Sequence, residues 1–158
     1  MDFKDKTVLI TGASSGIGKE TAIQFAKKGS NVILIARRRQ KLEQIADDLK
    51  KYNISTLVCE CDVSDKSQVE KMSKLVLEKY GSIDILVNNA GFAIYGSVSD
   101  LTTEEIESQM ATNYFGMIYC IKNFLPSMLE KKSGHIVNVA SVAASFGLPG
   151  IASYCASK

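Results

Sequence analysis

Three polar residues near the end of the printed sequence have side chains suited to proton transfer. Lys158 follows Tyr154 by four positions, and Ser141 precedes both in a segment rich in serine and alanine. Residues four apart on a helix share one face, so the ammonium of Lys158 would lie beside the phenol of Tyr154 and favour the phenolate. Such a tyrosine can act as a general acid or base. A Tyr-x-x-x-Lys pair on its own, however, usually marks only a helix surface.

A second candidate is the glycine-rich segment TGASSGIG at residues 11–18, between a predicted strand and a predicted helix. Glycines here permit a tight turn, close approach of the backbone to a pyrophosphate, and close packing of helix on strand. The N–H groups at the helix N-terminus would receive the phosphates. The spacing is GxxxGxG rather than GxGxxG, and by itself it is weak; its position favours dinucleotide binding. The candidate cofactor-binding residues here are Gly12, Ser14, Ser15, Gly16, Ile17 and Gly18.

The end of the second predicted strand indicates which dinucleotide would bind. NAD-selective sites usually have an acid there, whereas arginine accommodates the 2′-phosphate of NADP. This chain has Ala36 followed by Arg37, and a guanidinium binds phosphate through two parallel hydrogen bonds. We therefore expect NADP(H), with Arg37 on the phosphate. Arg39 and Lys41 are interpreted as solvated residues at a helix start. A nucleic-acid partner is not expected, because 19 Lys and Arg are nearly matched by 17 Asp and Glu.

Polar residues also follow the third and fourth predicted strands, at the same sheet edge as the glycine-rich segment. Asp62 either caps the next helix or contacts the adenine, and these alternatives are about equal. Asn88 and Asn89 are either turn formers or residues that contact a cofactor. The candidate cofactor-binding residues of these two segments are Asp62, Val63, Asn89, Ala90 and Gly91.

Short apolar runs alternate with longer runs of helical periodicity throughout the chain. Capping boxes are predicted at Asp65 with Gln68 and at Thr102 with Glu105, and Pro126 is expected to kink the helix that contains it. The pattern predicts an α/β fold, a Rossmann-like doubly wound parallel sheet with helices on both faces. The predicted strands are residues 7–11, 31–36, 56–61, 83–87 and 134–139, and the predicted helices are residues 16–28, 41–52, 65–80, 102–132 and one from 153.

Composition narrows the class of protein. The chain has 158 residues, 46% apolar and 23% charged, with a net charge of +2, as in an ordinary globular domain. It has no apolar run of about 18 residues, so no membrane span is expected, and no signal peptide is expected. Four cysteines without CxxC spacing, and His135 as the one histidine, favour buried thiols in a reducing cytoplasm over a metal site.

Taken together, these motifs resemble the short-chain dehydrogenase/reductase family of the classical type, over essentially all of residues 6–158. The resemblance rests on TGASSGIG, CDV, NNAG, Asn113 in the long helix, Ser141, and YCASK. It implies that Tyr154 is the acid/base, that Lys158 promotes its ionisation and holds the nicotinamide ribose, and that Ser141 hydrogen-bonds the substrate carbonyl. Asn113 would brace a water linking Lys158 to solvent.

The implied activity is NADP(H)-dependent interconversion of a carbonyl and a secondary alcohol by a homodimeric or homotetrameric enzyme acting on small-molecule ketones or alcohols. The alternative is a catalytically inactive dinucleotide-binding fragment or regulatory module. Only the first five strands of such a fold are predicted. Residues 1–158 are therefore interpreted as a single, truncated domain that carries the catalytic residues and is inactive by itself. The substrate stays open among sphingoid-type ketones, 3-oxoacyl thioesters, steroids and sugar-derived ketones.

Overall fold

The central feature is a parallel sheet in the order β3-β2-β1-β4-β5. The computed structural model describes residues 2–158, so that Met1 is outside the described part. The strands are β1 (Thr7–Thr11), β2 (Asn31–Ala36), β3 (Thr56–Glu60), β4 (Ile85–Asn88) and β5 (His135–Asn138). Since β1 pairs with both β2 and β4, the strand order reverses between β1 and β4. In doubly wound folds, that switch point is where ligands bind.

Helices cover both faces of this sheet. They are α1 (Gly16–Lys27), α2 (Arg39–Leu49), α3 (Lys66–Tyr80), α4 (Thr103–Met110), α5 (Gly116–Glu130) and α6 (Ala152–Ser157). Val8 and Ile10 of β1 belong to the core with α1 and α2, whereas Leu9 belongs to the core with α3 and α5. Alternate residues of one strand thus face two helix layers, which explains why β1 is apolar almost throughout. The predicted Rossmann-like doubly wound fold is confirmed.

The first of the two predicted capping boxes forms only in part. Asp65 caps α3, because its carboxylate accepts the N–H groups of Ser67 and Gln68. Hydrogen bonds from the Gln68 side chain and from Ser67 lower the pKa of Asp65 to about 2. The return bond of a capping box is missing, since Gln68 Oε1 accepts from the Asp62 N–H at 3.0 Å instead.

The second box is complete, and it begins the helical stretch that carries Asn113. Thr102 accepts from the Glu105 N–H, and the Glu105 carboxylate accepts from the Thr102 N–H. The predicted helical stretch is present, although it is not a regular α-helix from end to end. A π-helix at Ala111–Phe115 separates α4 from α5, and α5 continues through Pro126 to Glu130. The wide turn, closed by the bond from the Gly116 N–H to the Ala111 carbonyl, contains Asn113.

Three other features bear on the predictions. Helix α2 ends earlier than predicted, at Leu49, and a 3₁₀ turn over Lys50–Tyr52 follows it. Across residues 2–158, no helix has both the length and the apolar character needed to cross a membrane. The same residues contain no cluster of three or more His, Cys, Asp or Glu that could hold a metal ion, and all four cysteines are free thiols.

Candidate functional site

A groove of about 450 Å³ lies at the carboxyl edge of the sheet, across the switch point. Most of the predicted cofactor-binding and catalytic residues line this groove. The predicted residues that line it are Gly12, Ser14, Ser15, Gly16, Ile17, Arg37, Asp62, Val63, Asn89, Ala90, Gly91, Tyr154 and Lys158. Gly18, Asn113 and Ser141 are not among the residues that line this groove.

The glycine loop between β1 and α1 is packed against the loop after β4. A Cβ on Gly12, which has a φ of +66°, would lie 2.9 Å from the Ala90 Cα. A Cβ on Gly18 would lie 2.5 Å from both the Gly12 carbonyl oxygen and Asn89 Nδ2. Asn89 Nδ2 donates to the Thr11 carbonyl at 2.9 Å. Gly18 and Asn89 therefore hold the glycine loop from behind, and residues 12 and 14–17 of this loop line the groove.

Thr11, which was not among the predicted site residues, joins these two loops. Its buried Oγ1 accepts the N–H groups of both Asn89 and Ala90 at 3.0 Å. The strand β1 thereby fixes the backbone of the NNAG segment directly. A buried threonine directly after the apolar run Val8-Leu9-Ile10 was the available signal.

Arg38, and not Arg37, reaches the glycine loop. Arg38 Nη2 lies 2.8 Å from Ser14 Oγ and 2.9 Å from Ser15 Oγ. Arg37 turns towards β3 instead, where its Nη1 lies 3.7 Å from Asp62 Oδ2. Both arginines line the groove. Arg38 was not among the predicted site residues, although the paired hydroxyls of Ser14 and Ser15 offer acceptors for a second guanidinium.

Asp62 shapes the loop after β3. Its Oδ1 accepts from the N–H of Ser64 at 3.0 Å and from the Ser64 hydroxyl at 2.7 Å. This is an Asx turn, and the cap of α3 is Asp65. The helix-cap interpretation of Asp62 is therefore wrong, and its second carboxylate oxygen faces Arg37 at the rim of the groove.

Helix α6 brings Tyr154 and Lys158 to the other end of the groove. Lys158 Nζ donates to the Val139 carbonyl at 3.0 Å, and burial lowers the pKa of the Lys158 ammonium. Tyr154 is half-buried and lines the groove with Lys158. Ser141 lies just after β5, where its Oγ accepts from the Ala143 N–H at 3.2 Å. That bond leaves the Ser141 hydroxyl hydrogen free to be donated.

Asn113 is buried between the loop after β4 and α6. Its Oδ1 accepts from the Phe92 N–H at 3.0 Å, and its Nδ2 donates to the Phe92 carbonyl and to Ser157 Oγ, each at 2.8 Å. Behind it is a cavity of about 20 Å³ lined in part by Asn88, Asn113 and Lys158. Within residues 2–158, Asn88 Oδ1 is the one buried side-chain oxygen or nitrogen without a hydrogen-bond partner. The cavity can hold one water molecule, and Asn88 Oδ1 offers it an acceptor.

This sheet, with a glycine loop and an arginine at the switch point, defines a Rossmann-like nucleotide-binding protein. A family model described as short chain dehydrogenase matches residues 6–158. The chain belongs to the short-chain dehydrogenase family.

Relatives and solved structures agree with that assignment. An uncharacterized oxidoreductase of Listeria monocytogenes is 39% identical over 158 residues, which are 100% of this chain and 64% of the relative. The chain thus spans less than two thirds of that protein's length. An alcohol dehydrogenase from Thermococcus sibiricus, complexed with 5-hydroxy-NADP, superposes with a TM-score of 0.93 at 32% identity, over 98% of this chain and 66% of that one. A short-chain dehydrogenase/reductase from Burkholderia phymatum, in complex with NAD, gives 0.94 at 30% identity, over 99% and 56%. The chain is therefore similar to oxidoreductases that bind either cofactor.

Proposed function

We propose that the protein is an NADP(H)-dependent oxidoreductase that interconverts a carbonyl and a secondary alcohol, with Tyr154 as acid/base. The observation that carries the proposal is that Tyr154 and Lys158 line the same groove as the glycine loop and Arg38. A dinucleotide lying along this groove would have its 2′-phosphate at Arg38, its pyrophosphate at the glycine loop and its nicotinamide beside the phenol. A module that only bound nucleotides would have no need of a tyrosine and a lysine there.

The residues present fit NADP(H). The N-terminus of α1 offers backbone N–H groups to the pyrophosphate, and Gly12 and Gly16, both with positive φ, shape the turn in front of it. Arg38, held over Ser14 and Ser15, would bind the 2′-phosphate together with Arg37. Asp62, Val63 and the 89–91 segment would line the adenosine and ribose. When bound, this cofactor supplies or accepts the hydride.

The residues of the chain supply the proton that the reaction needs, whereas the cofactor supplies the hydride. In the reducing direction the Tyr154 phenol donates a proton to the carbonyl oxygen of the substrate. The Lys158 ammonium, held by the Val139 carbonyl, stabilises the phenolate that remains. The Ser141 hydroxyl donates to the same substrate oxygen and orients it.

Reprotonation of Tyr154 needs a path to solvent. In this proposal Asn113 holds a water in the small cavity behind Lys158. The Lys158 ammonium gives a proton towards the Tyr154 phenolate, and the water returns a proton from solvent to the Lys158 amine. The partnerless Asn88 Oδ1 supports this role, since a buried acceptor without a hydrogen bond is costly.

Location and assembly belong to the same proposal. We place the protein in the cytoplasm, where its four free thiols stay reduced. We also propose a homodimer or homotetramer, supported by the adjacent rings of Tyr114 and Phe115, which are 41% and 44% exposed. Light scattering of the purified protein measures the assembly.

The decisive experiment uses the complete protein that the gene encodes. NADPH consumption is followed with a panel of ketones, for wild type and for Tyr154→Phe. We expect the substitution to reduce kcat by about 10²–10⁴-fold while the NADPH Kd stays within a factor of about two, because the phenol hydrogen acts in the transition state.

Tyr52→Phe is the matched control, since Tyr52 packs in the core beside α1 and α2 and is absent from the groove lining. It should leave kcat unchanged. Survival of kcat in Tyr154→Phe to within a few-fold would refute the acid/base assignment.

A further inference from the structure

Gln109, in the last turn of α4, is a fully buried polar side chain to which the proposed mechanism gives no role. Its exposed fraction is 0%. Its Oε1 accepts from the Ile94 N–H at 3.1 Å, and its Nε2 donates to Ser153 Oγ at 2.9 Å. Both ends of the amide are therefore engaged, one by the loop after β4 and one by α6.

The same arrangement recurs four residues later. Asn113 accepts from the Phe92 N–H and donates to Ser157 Oγ. Ser153 and Ser157 are also four residues apart, on α6. The two amides thus form two rungs between the 92–94 segment and α6. The first rung ends at the residue before Tyr154, and the second ends at the residue before Lys158.

These rungs matter because they tie α6 to the 92–94 segment at two points. A buried hydrogen bond between neutral groups fixes both distance and direction, which apolar packing alone does not.

We propose that Gln109 is a positioning residue for Tyr154, acting through Ser153. The Gln109 amide fixes the distance between the first turn of α6 and the 92–94 segment. It thereby fixes the position of the Tyr154 phenol in the groove. Gln109 itself does not line the groove. The inference rests on the proposed function in so far as Tyr154 is the acid/base.

The first experiment is a double-mutant cycle in the complete protein. Gln109→Met keeps the unbranched chain and removes both hydrogen bonds, and Ser153→Ala removes the partner hydroxyl. We expect each to lower kcat by about 10–100-fold, as a small displacement of a reacting group does, with the NADPH Kd unchanged.

The cycle also separates positioning from general loss of stability. The kcat of the double variant should be no lower than that of the slower single variant, because both substitutions remove the same hydrogen bond between Gln109 and Ser153. The limb of the kcat–pH profile that reports Tyr154 should move in Gln109→Met and in Ser153→Ala. It should stay at its wild-type position in Ser153→Thr, which keeps the hydroxyl. Additive effects, a kcat within a factor of about two of wild type, or a parallel rise in the NADPH Kd would overturn the proposal.

A matched control is available on the same helix. Ser108 is exposed, and its hydroxyl bonds only the Glu105 carbonyl of its own helix. Ser108→Ala should therefore change neither kcat nor the pH profile.

Hydrogen exchange gives a readout that needs no substrate. The backbone amides of α6 should exchange faster in Gln109→Met than in wild type, and at the wild-type rate in Ser108→Ala. Equal exchange in Gln109→Met and wild type would refute the positioning role. A wild-type protein that turns over no carbonyl or alcohol would instead refute the proposed function, and the exchange comparison would still decide the role of Gln109 in holding α6.

Discussion

Arg38 and Ser14 connect the loop after β2 to the glycine loop, with 2.8 Å between Arg38 Nη2 and Ser14 Oγ. The guanidinium also reaches Ser15, so the fork is fixed where a 2′-phosphate would lie in the proposed complex. Its neighbour Arg37 is 71% exposed at the side chain and lies 3.7 Å from Asp62. Substitution of Arg38 and substitution of Arg37 should therefore affect cofactor preference differently.

We predict that Arg38→Ala weakens NADPH binding by about 10–100-fold, because a hydrogen bond to a charged group contributes about 1.5–3 kcal/mol. NADH, which lacks the phosphate, should bind almost as before. Arg37→Ala should have a smaller effect, since Asp62 competes for that guanidinium. Fluorescence titration with both cofactors measures this. Arg39→Ala is the control, because Arg39 is paired with Glu43 at 2.8 Å. An unchanged NADPH-to-NADH ratio in Arg38→Ala would contradict the assignment.

The second prediction concerns Gly91, which leaves room for Lys158. A Cβ there would lie 2.9 Å from Lys158 Nζ and 3.0 Å from Asn113 Oδ1. Gly91→Ala should therefore displace the ammonium from the Val139 carbonyl and lower kcat by about tenfold or more, the equivalent of about 1.4 kcal/mol. Gly147→Ala is the control, since a Cβ there meets nothing within 4 Å. Steady-state kinetics of the two variants decide the matter, and equal kcat values would show that Lys158 tolerates the displacement.

Gly18 gives a prediction about stability. Its added Cβ would meet Asn89 Nδ2 and the Gly12 carbonyl at 2.5 Å, and the carbonyl belongs to backbone that the Asn89 bonds hold in place. We expect Gly18→Ala to lower the free energy of unfolding by about 1–3 kcal/mol and to weaken NADPH binding. Urea denaturation measures the first effect. Lys19→Ala, at the exposed next position of α1, should leave both quantities near wild type. A fully stable Gly18→Ala would mean that the two loops can separate at little cost.

The fourth prediction concerns Asp84, at the opposite edge of the sheet. Burial alone would raise its pKa, but the hydrogen bond from the Thr7 N–H and the ammonium groups of Lys131 and Lys6 lower the pKa below its ordinary value. The folded pKa lies below the unfolded one, so this stabilisation is complete above the ordinary aspartate pKa of about 3.9 and is lost as pH falls through the lowered folded value.

Asp84→Asn should therefore reduce the free energy of unfolding at neutral pH by about 1.5–3 kcal/mol, because the neutral amide loses the charge that strengthens the bonds from the Thr7 N–H and Lys131. The deficit should shrink in the acid range, where the wild-type carboxylate becomes protonated. Urea unfolding measured at several pH values tests this. Asp48→Asn, on an exposed position of α2, should show no such dependence. A deficit that stays constant down to acid pH would rule out linkage to this carboxylate.

The sheet was predictable because its strands are buried on both faces. The apolar run NVILIA predicted β2 with the bounds that the structure has, Asn31–Ala36. The groove was predictable as well, since the carboxyl ends of parallel strands meet at one edge. The glycine loop, Arg37 and the NNAG segment line one groove, and their binding of a cofactor stays a prediction.

The missed features depend on contacts between distant segments. Periodicity cannot reveal the π-helix, because the irregular turn accompanies the bonds that Asn113 makes with Phe92 and Ser157. The role of Gln109 depends on its bond to Ser153, which lies 44 residues further along the chain. Arg38 was missed because its direction depends on the backbone between β2 and α2, where its own φ of −95° and ψ of 81° are not helical.

The central place of β1 has a consequence for how the protein is made. Val8 pairs with Val32 on one side and with Ile85 on the other, so one edge of β1 has no partner until the ribosome has released β4. During that interval an apolar strand edge is open to pairing with other chains. When β4 arrives it covers this edge, and the N–H groups of Asn89 and Ala90 bind Thr11. The pairing of β4 with β1 and the joining of the NNAG segment to the end of β1 are thus coupled in folding.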